Sequence, residues 1–131
     1  MIIDHSGSMQ YDPIQLIDTN TRQLLPSVVE LNGEIIQFPD NYISPLEKAK
    51  SLSKQFVKDF DLNKDKFQVI GFSNSVDIKT SFYSDTNLIF NAIDSMKVDS
   101  STAFYDAISI GLDATKNGIS IIVALTDGND N

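Results

Sequence analysis

Residues 1–9 read MIIDHSGSM, where two isoleucines run directly into an aspartate and serines follow that aspartate at every second position. The apolar residues before Asp4 are typical of the end of a buried strand. In an open α/β sheet, ligands bind just beyond the carboxyl ends of the strands. Asp4, Ser6 and Ser8 are therefore the first candidates for a functional site.

Strand and helix patterns alternate along the rest of the chain. Apolar runs predict strands that are covered on both faces at residues 68–73 and 119–125, and the alternating residues 76–80 predict an edge strand. Helical periodicity is found at residues 44–60, 86–96 and 103–115. This order predicts an α/β fold with a doubly wound, mostly parallel sheet and helices on both faces.

The first predicted helix has the clearest beginning. Ser44 is a typical N-cap, Pro45 suits the first helical position, and Glu47 stands where a capping box requires an acidic residue. Each helix also carries an apolar stripe with helical spacing, which is expected to pack on the sheet. The three stripes include the leucines Leu52, Leu88 and Leu112.

Residues 28–38 interrupt this pattern. Asn32-Gly33 lies between two apolar arms, which is a strong signal for a β-hairpin. We predict an inserted hairpin at about residues 12–43 that projects from the end of the sheet bearing Asp4 and takes part in recognition. Residues 1–131 are expected to form a single but incomplete domain, because the first strand begins only two residues before Asp4.

Composition narrows the classes of partner. The 131 residues contain 10 Lys and Arg against 18 Asp and Glu, a net charge of −8, so nucleic acids and anionic membranes would be repelled. There is no cysteine, which excludes thiolate metal sites and cysteine nucleophiles. No apolar run reaches the length of a membrane span, and no signal peptide is recognisable. The sequence therefore predicts no nucleic-acid partner and no direct membrane contact by this segment, and it leaves the compartment open.

Two more oxygen-bearing side chains stand beside predicted strand ends or helix starts. Thr102 precedes the helix at residues 103–115, and Asp127 follows the apolar run at residues 119–125. Together with the first motif they make an all-oxygen set of two carboxylates and three hydroxyls, which suits a hard cation. We expect Mg²⁺, with Mn²⁺ and Ca²⁺ as alternatives. The plainer interpretation is that Thr102 is only the N-cap of its helix and that Asp127 only caps the segment that follows it.

His5 invites a catalytic interpretation because it lies between Asp4 and Ser6. Neighbouring side chains on extended backbone point to opposite sides, so these three residues cannot assemble into a triad. We therefore expect His5 to be structural.

The three elements, in this order along the chain, resemble the von Willebrand factor A domain with its metal-ion-dependent adhesion site (MIDAS). The family's Asp-x-Ser-x-Ser motif matches Asp4, Ser6 and Ser8. Its threonine before a helix matches Thr102, and its aspartate after an apolar strand matches Asp127. The resemblance covers the chain apart from the insert.

The resemblance implies that the hydroxyls of Ser6, Ser8 and Thr102 hold the cation, while Asp4 and Asp127 act through water. A partner protein then supplies an Asp or Glu carboxylate that completes the coordination. The implied function is that of a Mg²⁺-dependent protein-binding module without enzymatic activity. Two alternatives stay open, namely a metal-dependent hydrolase or phosphotransfer domain and a docking subunit of a chelatase-like or secretion assembly.

Overall fold

The computed structural model describes residues 1–10, 29–31, 34–36, 42–99, 101–116 and 120–128. The strands are β1 (Ile2–Asp4), β2 (Val29–Leu31), β3 (Glu34–Ile36), β4 (Ile70–Phe72), β5 (Val76–Ile78) and β6 (Ala124–Leu125). The helices are α1 (Pro45–Lys58), α2 (Thr86–Asp94) and α3 (Phe104–Ala114), and a 3₁₀ turn (Gly7–Gln10) follows β1. Within the described ranges, none of the helices has the length and apolar character needed to cross a membrane.

The main sheet has the strand order β5-β4-β1-β6. β1 is parallel to both of its neighbours, with Ile2 opposite Ile70 on one side and opposite Ala124 on the other. β4 and β5 are antiparallel, so β5 forms the edge that its alternating sequence predicts. The prediction of a mixed, mostly parallel α/β sheet is confirmed.

Helices cover both faces of this sheet. Successive side chains of a strand point to opposite faces. Ile3 belongs to the buried cluster that includes residues of α1 and α2. Ile2 belongs to a second cluster with Ile70, Phe72 and Ala107, the last of which lies on α3. The central strand is apolar on both sides because both sides are packed against helices.

The beginning of α1 follows its sequence except in the capping box, because the Glu47 side chain pairs with Lys50 at 2.8 Å and no bond from it to Ser44 is found among the described residues. Ser44 is the N-cap, and its hydroxyl accepts a hydrogen bond from the Glu47 N–H at 3.2 Å, while Pro45 occupies the first turn. In each helix, one leucine of the predicted apolar stripe is exposed, so the stripe prediction is wrong there. Each helix packs on only one face of the sheet, and these leucine side chains lie outside the packed surface. The exposed leucines are Leu52 at 57%, Leu88 at 46% and Leu112 at 55%.

The strand predicted at residues 119–125 is shorter and more exposed than expected. Only Ala124–Leu125 form β6, and the Ile121 side chain is 73% exposed. The expectation that this run is covered on both faces is wrong. Among the described residues β6 pairs only with β1, and that pairing begins at Ile2.

β2 and β3 form a separate antiparallel pair in which Val29 faces Ile36 and Leu31 faces Glu34. Two residues, Asn32-Gly33, therefore connect the strands, as in the predicted hairpin. These turn residues lie outside the described residues, as do residues 11–28 and 37–41. The bounds of the insert at about 12–43, its direction and its part in recognition stay predictions.

Candidate metal-ion site

Asp4 is the buried centre of the candidate site. It ends β1, and its side chain is fully removed from water. The Ser6 N–H donates to its Oδ1 at 2.8 Å, and the Thr126 hydroxyl donates to its Oδ2 at 2.7 Å. Each carboxylate oxygen thus has a donor, which offsets the cost of burying the charge and holds the group in one orientation.

Ser6 and Ser8 bring two hydroxyls together next to this carboxylate. Their Oγ atoms are 3.1 Å apart. The 3₁₀ turn is responsible, because the Met9 N–H donates to the Ser6 carbonyl at 3.0 Å and so curls the chain tightly after β1. Ser6 is buried and Ser8 is half-buried, so the pair lies where the buried carboxylate meets the surface.

Thr102 lies in the loop before α3 and is 8% exposed. That loop is attached to the end of β4, because the Ala103 N–H donates to the Ser73 carbonyl at 2.6 Å. The Asp99 N–H donates to the His5 carbonyl at 2.8 Å, which attaches the same loop to the end of β1. The plainer interpretation of Thr102 as the helix N-cap is wrong, since the N-cap is Ala103 and no side-chain capping bond is found there among the described residues.

Asp127 is exposed and follows β6 at the same end of the sheet. Gly128 next to it has a φ of +85°, a conformation that favours glycine, and its N–H donates to the Thr126 hydroxyl at 3.0 Å. The structure therefore joins Asp4 and Ser6 directly and places Thr102 and Asp127 on neighbouring loops. A common role for these residues with Ser8 in holding a cation stays a prediction.

Thr126 is a site residue that the sequence reasoning missed. Its hydroxyl joins the end of β6 to the Asp4 carboxylate of β1 across 122 positions of sequence. The available signal was the pair Thr126-Asp127 directly after an apolar run. A hydroxyl at the end of one strand can donate to a carboxylate at the end of the neighbouring strand, which here is Asp4.

His5 packs beneath the site and does not join it. Its Nδ1 is 2.9 Å from the Lys97 carbonyl, and a carbonyl can only accept, so Nδ1 carries the proton. Its Nε2 is buried and has no partner among the described residues. Burial lowers the pKa of His5, while the Lys97 hydrogen bond opposes that change. This environment is that of a neutral structural histidine, as the sequence analysis expected.

The donor set can be compared with what a divalent cation requires. In the described part of the chain, no three His, Asp or Glu side chains cluster as metal ligands, so hydroxyls would have to complete the set. With Mg–O distances of about 2.1 Å, neighbouring corners of an octahedron lie about 3.0 Å apart. The Ser6–Ser8 separation of 3.1 Å fits that spacing and is also an ordinary hydrogen bond between hydroxyls. The residues present fit a hard cation with oxygen ligands.

Solved structures with TM-scores above 0.5 that are similar to this chain include the following three. An uncharacterized membrane spanning protein from Vibrio fischeri has a TM-score of 0.57 at 15% identity, covering 87% of this chain and 46% of that one. The conserved hypothetical protein BatB from Bacteroides thetaiotaomicron has a TM-score of 0.59 at 20% identity, covering 92% of this chain and 46% of that one. The vWF domain of the type V pili tip protein Mfa5 from Porphyromonas gingivalis has a TM-score of 0.59 at 15% identity, covering 92% of this chain and 32% of that one.

These likenesses show the fold, and this chain spans less than half the length of each of the three structures. A comparison with curated proteins found no match. The family model described as von Willebrand factor type A domain matches residues 1–129, which is nearly the whole sequence. The chain therefore belongs to the von Willebrand factor type A domain family.

Proposed function

We propose that this domain is a protein-binding module that works through one divalent cation, with Mg²⁺ the best candidate. Ser6, Ser8 and Thr102 hold the ion, and Asp4 and Asp127 anchor it as in a MIDAS. The observation that carries the proposal is the approach of the Ser6 and Ser8 hydroxyls to 3.1 Å beside the buried Asp4 carboxylate. Domains of this family generally act as interaction modules, which supports the same conclusion.

The hydrogen bonds of Asp4 explain how such a site would attract a partner. Both of its oxygens already accept hydrogen bonds, from Ser6 and Thr126, so the carboxylate orients its neighbours and supplies negative potential from below. Neutral hydroxyls then form most of the direct coordination, which leaves the charge of the ion largely uncompensated. The cation supplies a strongly electrophilic position, and an Asp or Glu carboxylate of a partner protein is the ligand that fits it.

We infer binding rather than catalysis because the one histidine of the sequence is poorly placed for proton transfer. The sequence has one histidine and no cysteine. His5 donates from Nδ1 to the Lys97 carbonyl and is 7% exposed, so it is poorly placed to act as a general base on a bound substrate. A hydrolase or phosphotransfer domain is therefore the weaker candidate, and the absence of phosphoester turnover in the presence of Mg²⁺ is the expected outcome of a direct assay.

Calorimetric titration with Mg²⁺ tests the coordination. We expect Ser6→Ala and Ser8→Ala each to weaken binding by about tenfold or more, because each variant removes one of few direct ligands. Ser51→Ala is the matched control, since Ser51 lies exposed on α1 and belongs to no part of the site.

Circular dichroism of each variant separates loss of a ligand from loss of the fold. Unchanged Mg²⁺ affinity in both site variants would show that the site is assigned wrongly. Equal loss in Ser51→Ala would show that the titration reports something other than coordination by Ser6 and Ser8.

A further inference from the structure

Ser73 directly follows β4 and is bonded to the loop that carries Thr102. Its side chain is almost completely buried, at 2% exposure. Its carbonyl accepts a hydrogen bond from the Ala103 N–H at 2.6 Å, and its hydroxyl lies 3.2 Å from Asp99 Oδ2. Ser73 is not among the residues proposed to bind the cation, yet it contacts the loop on both sides of Thr102.

The Ser73 hydroxyl has one proton and two acceptors within reach. Asp99 Oδ2 lies at 3.2 Å, and Asn74 Oδ1 lies at 3.3 Å. A hydrogen bond to a carboxylate is about twice as strong as one between neutral groups. The Asp99 carboxylate is therefore the preferred acceptor, and the hydroxyl holds this side chain at the end of β4.

The two bonds to Ser73 close a short span of the loop. Asp99 and Ala103 are four positions apart in the sequence, and both are attached to the same residue. Thr102 lies inside this span. Because both ends of the span are attached, Thr102 has fewer conformations available than it would have in a loop attached at one end.

Other bonds attach only the beginning of the loop. The Asp99 N–H donates to the His5 carbonyl at 2.8 Å, and His5 Nδ1 donates to the Lys97 carbonyl at 2.9 Å. These contacts fix residues 97–99, all of which precede Thr102. In the described part of the chain, the bond that attaches Ala103 to the sheet comes from Ser73.

The start of α3 has a second support that does not involve the Ser73 hydroxyl. The Phe104 ring packs against the Phe72 ring with the centroids 5.7 Å apart. Ala107 of the same helix is buried in the cluster that contains Ile2 and Ile70. Removal of the hydroxyl alone is therefore expected to leave α3 in place and to loosen the loop before it.

We propose that Ser73 is a positioning residue for the candidate metal-ion site, and this role rests on the function proposed above. Ser73 holds Asp99 with its hydroxyl and Ala103 with its carbonyl, and it thereby limits Thr102 to the arrangement that binds the cation. Replacing residues that orient metal ligands without touching the metal typically weakens metal binding by about 10–100-fold. The end of β4 bears none of the proposed ligands, yet through Ser73 it contributes to the affinity of the site.

Calorimetric titration of the 131-residue protein with Mg²⁺ tests this role. We expect Ser73→Ala to weaken Mg²⁺ binding by about tenfold, with a fold that circular dichroism shows to be unchanged. Ser53→Ala is the control for burial, because Ser53 is fully buried on α1 and its hydroxyl has no partner among the described residues. Ser75→Ala is the control for location, because Ser75 is exposed in the same turn and its hydroxyl lies 3.4 Å from Asn74 Oδ1. Both controls are expected to bind Mg²⁺ as the wild type does.

A double-mutant cycle shows whether Ser73 acts through Asp99. If it does, Ser73→Ala has little further effect on Mg²⁺ affinity when Asp99 is already replaced by alanine. Asp99→Asn keeps an acceptor for the Ser73 hydroxyl and is expected to retain more affinity than Asp99→Ala.

Hydrogen exchange in the presence of EDTA provides a measurement that does not involve the cation. We expect the Asp99 and Ala103 amides to exchange faster in Ser73→Ala than in the wild type, because the loop between them is less constrained. The same amides are expected to exchange at the wild-type rate in Ser53→Ala. Unchanged exchange in Ser73→Ala would contradict the idea that its hydroxyl orders the loop.

The outcomes separate this proposal from the proposed function. If Ser6→Ala weakens Mg²⁺ binding and Ser73→Ala does not, the role of Ser73 is wrong while the assignment of the site stands. Additive losses in the double-mutant cycle, or equal losses in Ser73→Ala and Ser53→Ala, would also overturn the role of Ser73. Absence of Mg²⁺ binding by the wild type would overturn both proposals.

Discussion

Replacing Thr126 with valine tests whether the end of β6 holds the buried carboxylate of β1. Thr126→Val keeps the shape of the side chain and removes the hydroxyl that donates to Asp4 Oδ2 at 2.7 Å. The same change removes the acceptor of the Gly128 N–H, which lies at 3.0 Å. The loss therefore affects one charged hydrogen bond deep in the site and one neutral bond at the surface.

We expect Thr126→Val to lower the free energy of unfolding by about 2 kcal/mol, because a hydrogen bond to a charged group contributes about 1.5–3 kcal/mol. The Asp4 side chain is fully buried, so a replacement donor would have to enter the protein, whereas water reaches the exposed Gly128 N–H directly. In a chain of 131 residues this loss corresponds to a fall of about 7 °C in the melting temperature.

Thr115→Val is the matched control. The Thr115 hydroxyl donates to the Leu112 carbonyl at 3.0 Å in an exposed position at the end of α3, so its removal is expected to cost about 0.5 kcal/mol or less. Both variants are compared with the wild type by urea unfolding in the presence of EDTA, which keeps divalent cations out of the comparison. Equal losses in the two variants would refute the conclusion that Thr126 stabilises a buried charge.

Two further predictions concern the packing around the sheet. Burial lowers the pKa of His5 below its ordinary value of about 6.5. When the pH drops below about 6.5, His5 of the unfolded chain therefore binds a proton more readily than His5 of the folded protein. The stability of the folded protein falls as a result. Urea unfolding in EDTA between pH 7.5 and 5.5 is expected to show a flatter dependence for His5→Asn than for the wild type, and identical slopes would contradict this reasoning. In α2, Ile93→Ala is expected to lower the free energy of unfolding by about 2–4 kcal/mol because Ile93 is fully buried. Leu88→Ala is expected to lower it by under about 1 kcal/mol because Leu88 is 46% exposed. Similar losses for the two variants in urea unfolding would contradict the assignment of the buried face of α2.

Local features of this protein were determined by short stretches of sequence. The beginning of α1 depends on Ser44, Pro45 and Glu47, which lie within a single turn, and their types predict the Ser44 N-cap that the structure contains. The pairing of β2 with β3 was predictable in the same way, because Asn32-Gly33 between two apolar arms is a hairpin signal in the sequence. The first motif of the candidate site is recognisable in the same way, because it lies within five consecutive residues that begin at the end of β1, whereas its role in binding a cation stays a prediction.

Only the tertiary structure decided which residues are covered and which distant groups meet. Leu52, Leu88 and Leu112 follow the helical stripes, yet they are exposed because each helix packs on one face of a four-stranded sheet. Ile121 belongs to an apolar run, yet it is exposed because its segment precedes β6, which in the described part of the chain pairs only with β1, and that pairing begins at Ile2.

The contact between Thr126 and Asp4 is of the same kind. It joins residues that are 122 positions apart, and it exists because β6 lies next to β1 in the sheet order. Turn and cap preferences act between near neighbours in sequence, whereas burial and such contacts depend on the order in which strands assemble. That order is a property of the whole packed chain, and no single stretch of the sequence specifies it.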